Sequence, residues 1–392
     1  MASKLNYISS KLNMNTTEKS TLLSLNKNNT ISFINIKDLN PKNNSVKLSI
    51  KLLDYISIAK IISSFSVVIL HMNNCFWRFK YNNYKQYWIS ANRIESIFIF
   101  AVPVFILCVG ATLLDFNEKY GLKKYYYRRF IKVVLPLLSW NIILYFYRVY
   151  YLKNFRKQKL SFIIIWNLYY NNKINSIFKS FHEFIKVYII IPLIAYVDKS
   201  KKIKIYSYCF ITLILTQSLI PYLIKLSCHS LIWIYFINLG YIIYIFPGYI
   251  IQNFKFSKLS KFIIYTLGLI GLFLHMYGTQ ILTLRYKKII RLHKGYLNIP
   301  CILYSCSIFL FIKDYSYFIL KIINRKYINK IGSLTIGPFF IHIPMIDTIH
   351  KYFKINKYSL VYRLLGSICV YIMSLIITAI MKIIPLINYM VP

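Results

Sequence analysis

The chain has 392 residues, 57% of them hydrophobic, with 50 Lys+Arg against 10 Asp+Glu and a formal net charge of +40; its mean hydropathy is +0.49. Its apolar runs reach the roughly 20 residues that cross a bilayer, which argues against a soluble globular protein and predicts an all-α, polytopic transmembrane helical bundle. On a soluble chain the charge would suggest nucleic acid; here it lies in short loops between apolar runs, which points to lipid headgroups, topology and an anionic ligand, with no nucleic-acid partner.

In chain order, residues 1–50 are polar, rich in Asn, Lys and Ser, and lack the apolar core of a signal peptide. They read as a disordered basic cytoplasmic tail, and residues 51–392 as one membrane-embedded domain. About ten spans follow, at about 52–72, 93–115, 130–151, 182–198, 204–224, 231–252, 260–279, 297–313, 331–350 and 359–381. The basic tail places the N-terminus on the cytoplasmic side of a cell membrane, together with the clusters Lys123–Lys132, Lys199–Lys204 and Lys321–Lys330; Lys153–Lys159 and Arg285–Lys294 then fall outside. Of the seven cysteines, Cys108, Cys209 and Cys369 lie in apolar runs and none forms a CxxC, so neither a redox nor a metal site is predicted.

The first span, LDYISIAKIISSFSVVILH, carries an amine and ends on an imidazole. At 100° per residue Ser57, Lys60, Ser64 and His71 fall within about 60° of one another, making a narrow polar stripe. An unpartnered lysine facing lipid near mid-bilayer costs roughly 2.5–3.5 kcal/mol even on the lenient insertion scale, so the stripe must face protein or water. The second span contains Pro103, a kink site, and Gly110, which allows a neighbouring helix close approach. The third opens with Arg128, Arg129 and Lys132, either snorkelling topogenic charge or a clamp for phosphate. The ninth embeds His342 in apolar sequence, seven residues beyond Thr335 on the same helical face. Trp77, Trp88, Tyr169 and Tyr170 sit in loops at about 73–92 and 151–180, as interfacial anchors or sugar-stacking surfaces.

Four of these elements, in order, resemble the acyltransferase 3 family of integral membrane O-acyltransferases: Ser57, Lys60 and His71; Val102, Pro103, Phe105 and Gly110; Arg129, Lys132 and Pro136; and Thr335, Gly337 and His342. The sequence departs from the family pattern at Ser57, where an acidic residue is usual and Asp54 lies one turn earlier, and at Val109, where a small hydroxyl residue is usual. In the fourth span Tyr188 and Pro192 match, yet Ile177 stands where a histidine is expected and His182 lies five positions later. The resemblance implies transfer of an acetyl or other short acyl group from acyl-CoA, a donor substrate rather than a resident cofactor, to a hydroxyl of a cell-surface or lipid-linked saccharide. It implies His71 as general base, Lys60, Arg128, Arg129 and Lys132 as donor-binding cations, and Ser57, Gly110, Thr335 and His342 as supporting residues. Two other readings stay open, a transporter or flippase of a lipid-linked saccharide and a non-catalytic sensor or scaffold. Membrane lipid is a partner in all three; the oligomeric state is not legible.

Overall fold

A computed structural model describes residues 41–151, 176–227, 239–353 and 355–392. The tail up to residue 40, Tyr169 and Tyr170 fall outside these, as do the side chains of Ile177 and His182. The chain divides into two compact units, Met1–Lys51 and Leu52–Pro392, and the following concerns the second.

All regular structure among the described residues is helical: α1 (Pro41–Met72), α2 (Tyr84–Phe98), α3 (Ala101–Leu113), α4 (Leu122–Arg129), α5 (Leu135–Phe146), α6 (Ser176–Ala195), α7 (Lys202–Leu213), α8 (Ile220–Leu226), α9 (Ile245–Asn253), α10 (Lys258–Phe273), α11 (Thr279–Tyr286), α12 (Ile299–Ile322), α13 (Arg325–Leu334), α14 (Ile336–Tyr352) and α15 (Leu360–Ile383). Among the described residues, six stretches are long and apolar enough to cross a membrane: Asp54–Met72, Tyr81–Glu118, Lys202–Leu226, Lys258–Tyr286, Ile299–Ile322 and Leu360–Ile383. They coincide with six of the ten expected spans. The other four are interrupted or only partly described: 130–151 combines α5 with π-helical turns, 182–198 overlaps α6, 231–252 is described from residue 239, and 331–350 is split between α13 and α14.

Proline accounts for four of the breaks. It has no N–H for the carbonyl four residues earlier and clashes with it. Pro103 would address Ile99, and the chain turns at Ile99–Phe100 between α2 and α3. Pro136 addresses Lys132, inside the π-helical turn Phe130–Val134; Pro221 addresses Gln217, inside the wider turn Ile214–Leu219. Pro338 addresses Leu334, and α13 gives way to α14 at Thr335.

The helices differ in what surrounds them. Within Tyr81–Glu118, 78% of the most apolar window is buried by protein, against 17% for Lys202–Leu226 and for Lys258–Tyr286, so α3 is central and the α7–α8 and α10–α11 pairs expose apolar side chains, as lipid contact requires. Close approaches use glycine. A methyl group at Gly110 would overlap the Ile245 carbonyl and one at Gly248 the Leu107 carbonyl, so α3 and α9 touch backbone to backbone. Gly110 therefore serves α9 rather than the polar stripe of α1. Beyond Met72 the chain folds into a cap in which Trp88 is wholly buried, donating its indole N–H to the Phe76 carbonyl at 2.9 Å, while Trp77 stays 43% exposed. Of the two tryptophans, only Trp77 is available to an interface.

Candidate active site

The stripe on α1 is received by four different partners. Nearest the start, Asp54 accepts from Arg325 Nε at 2.7 Å and from Asn329 Nδ2 at 3.0 Å. Ser57 donates to Asn329 Oδ1 at 2.7 Å, and a methyl on Gly332 would stand 2.8 Å from Ser57 Cβ. This end of the stripe therefore fastens α1 to α13. Ser64 is buried and bonded to the Tyr371 hydroxyl of α15 at 2.7 Å.

Lys60 lies between these anchors. It is half-buried, and the Cys108 thiol of α3 and Lys132 are within electrostatic range. Lys132 in turn feels Arg129, Arg128 and Lys382. The two arginines point differently, as neighbours 100° apart on a helix must. Arg129 lies over the rings of Tyr125 and Tyr188, at 5.8 and 5.7 Å, hydrogen-bonds Tyr188, and keeps a buried Nε without a partner. Arg128 is exposed and sits 4.6 Å over Tyr120. Beside Arg129 an apolar hollow of about 200 Å³ opens between Phe130, Val133, Ile185 and Ile189. Among the described residues no carboxylate forms an ion pair with Lys60, Arg128, Arg129 or Lys132. Lys382, which donates to the Ser333 carbonyl at 2.8 Å, joins this cationic group through a fold contact that its sequence position did not advertise.

The far end of the stripe meets the second imidazole. The rings of His71 and His342 lie 4.8 Å apart between centroids, tilted by 55°. His342 is fully buried. Its Nδ1 lies 2.6 Å from the Pro338 carbonyl, which can only accept, so Nδ1 carries the proton and the unpartnered Nε2 presents a lone pair. Thr335, whose hydroxyl donates to the Gly332 carbonyl at 3.0 Å, stands at the junction of α13 and α14 with right-handed helical dihedrals, and like His342 it is buried. A methyl on Gly337 would overlap Thr378, locking α14 onto α15.

His71 lines a cavity of about 180 Å³ with Asp347, His350, Arg78, Lys357 and Tyr362. The sequence reading had singled out none of these companions. Two residues past His71, buried Asn73 donates to the Ala91 carbonyl at 2.8 Å, accepts from Arg363 Nη1 at 3.1 Å and hydrogen-bonds the buried Glu95. Glu95 interacts electrostatically with Lys294, which donates to Ser96 Oγ at 3.1 Å; burial lowers the Lys294 ammonium to about 8.

Lys60 beside the Lys132 cations and His71 against His342, both on α1, together with the tight α3–α9 glycine contact, draw on all four sequence elements, and the family model of an acyltransferase domain matches residues 53–383. The chain belongs to the acyltransferase 3 family. Comparison with curated proteins and comparison with solved structures returned no match. Within the matched range these elements lie on α1, α3, the α4–α5 junction and α13–α14.

Proposed function

We propose that this acyltransferase moves an acetyl or other short acyl group from acyl-CoA to a hydroxyl of a cell-surface or lipid-linked saccharide, as a bundle of about ten spans in a cell membrane with its N-terminus in the cytoplasm. The supporting observation is the division of labour along α1. Lys60 is within electrostatic range of Lys132, which also feels Arg129 and Arg128, and His71, eleven residues or about 16 Å along the same helix, stands against His342.

In this reading the cations take the nucleotide phosphates, arginine through its fork and lysine as a point charge. The extended pantetheine arm covers the length of the stripe and brings the thioester to the His71 cavity. His71 accepts the acceptor's hydroxyl proton as that oxygen attacks the acyl carbon; the C–S bond breaks and the CoA sulfur leaves with the electron pair, to be protonated. The His342 ring, packed against His71, limits the orientations the base can take. Cys75 also lines the His71 cavity, but burial pushes its thiol up, which disfavours a thiolate nucleophile and a covalent acyl-enzyme.

The test is label transfer from labelled acetyl-CoA to a surface glycan by the purified protein. His71→Ala, inserting and expressing normally, is expected to lower transfer by about 10²–10⁴; an unchanged rate would overturn the assignment. Arg128→Gln with Arg129→Gln is expected to raise KM for acyl-CoA, whereas an unchanged KM with altered topology would return both arginines to a topogenic role.

A further inference from the structure

Beside the His71 cavity lies a larger cleft, about 750 Å³, open to solvent between the start of α2 and the start of α15. The two share Tyr358 in their walls. Lys80, Lys85, Arg93 and Arg363 line the cleft, and its lining contains no carboxylate.

Arg363 is the informative one. It is 1% exposed, and its guanidinium meets only neutral acceptors: Asn73 Oδ1 at 3.1 Å, Ser90 Oγ at 2.7 Å and the carbonyls of Tyr358 at 3.2 Å and Ser359 at 3.4 Å. Burying a charge without its counter-ion costs several kcal/mol even when its hydrogen bonds are satisfied. An anion in the cleft would offset that cost. The three other cations are exposed, and among the described residues none of the four forms an ion pair. The amides of Asn83, Gln86 and Asn356 add donors and acceptors suited to sugar hydroxyls, and Tyr358, packed on Tyr87 at 4.6 Å between ring centroids, offers a ring to a sugar face.

We infer that the acceptor is an anionic saccharide, its carboxylate or phosphate held over Arg363 by Lys80, Lys85 and Arg93 while a hydroxyl reaches the adjoining His71 cavity. The inference rests on the acyl-transfer reading and names its substrate class. Arg363 also grips Asn73, two residues from His71, so the same guanidinium joins acceptor binding to the placement of the base.

Binding is measured on the detergent-purified full chain with fluorescent trigalacturonate and with neutral galactotriose, at fixed ionic strength. Trigalacturonate is expected to bind at least about tenfold more tightly, and Lys80→Gln/Lys85→Gln/Arg93→Gln to bring the two within about twofold, since each exposed charge contact contributes up to about fivefold. Equal binding, or a preference that survives in the variant, would overturn the inference. So would loss of the preference in phosphatidylglycerol nanodiscs but not in phosphatidylcholine ones, which would make the cleft a lipid-headgroup site. Label transfer from acetyl-CoA is read separately: the preference without any transfer would refute the acyl-transfer reading, while transfer without the preference would refute only the anionic acceptor.

Discussion

Gly332→Ala isolates the anchoring end of the stripe from its chemistry. The new methyl would stand 2.8 Å from Ser57 Cβ, 3.0 Å from Ser57 Oγ and 3.1 Å from Ser57 Cα, where carbon atoms prefer about 3.5–4.0 Å. The Cβ and Cα of Ser57 belong to a packed helix and cannot rotate away, so α13 must retreat by about 1 Å. That retreat strains the Ser57–Asn329 bond at 2.7 Å and the Asp54 bonds to Arg325 and Asn329 at 2.7 and 3.0 Å. Overpacking costs about 1–3 kcal/mol, and each weakened neutral bond up to about 1 kcal/mol more; Arg325 is 42% exposed, so its share is small. A loss of about 2–4 kcal/mol is expected, read as a lowered midpoint by fluorescence-detected size exclusion after heating. Ser57→Gly removes two of the three clashing atoms and is expected to restore part of the loss, limited by the helix penalty of about 1 kcal/mol for glycine. A neutral Gly332→Ala, or a double variant no better than the single, would refute the packing argument.

The cation cluster predicts unequal arginines. Arg129→Gln should raise KM for acyl-CoA more than Arg128→Gln, because Arg129 turns toward Tyr188 and the Lys132 side while Arg128 lies outward on Tyr120; equal effects in steady-state kinetics would remove the distinction. Lys60→Met should raise the same KM about tenfold or more without lowering the melting midpoint, the reverse of Gly332→Ala, since Lys60 stands among like charges and relief of their repulsion offsets its lost contacts. His342→Phe, which keeps the ring and removes the Nε2 lone pair, should lower kcat with little change in KM for the donor; an unaltered kcat would make the His71–His342 contact one of packing only. Burial holds the folded Lys294 ammonium at about 8, below the ordinary value of about 10.4, so the unfolded chain holds more protons between these values and stability rises with pH across that window. Lys294→Met should flatten that rise in midpoint measurements at pH 7.5–9.5, and an identical slope would place the titration elsewhere.

What the sequence carried and what it did not follows from sequence separation. The polar stripe, the kink at Pro103 and the glycine approach at Gly110 are local properties, governed by backbone hydrogen bonding and steric rules within one turn. Their partners are not local. Ser57 meets Asn329, Ser64 meets Tyr371 and His71 meets His342, all separated by about 270 or more residues, and nothing in a single chain's pattern specifies which of several polar helices turns toward α1. Arg363 was passed over for the same reason: near the start of a span it has the appearance of a snorkelling charge, and only the cap formed by residues 73–92 turns it into a buried cation beside an open cleft. Ser57 also changes meaning. Against the family pattern it was a missing acid; in the fold the nearby acid, Asp54, is committed to Arg325 and Asn329, and Ser57 joins Asn329 in the same joint. The substitution therefore falls on the fastening of α1 to α13, one turn from Lys60 and about 21 Å from His71 by helical rise.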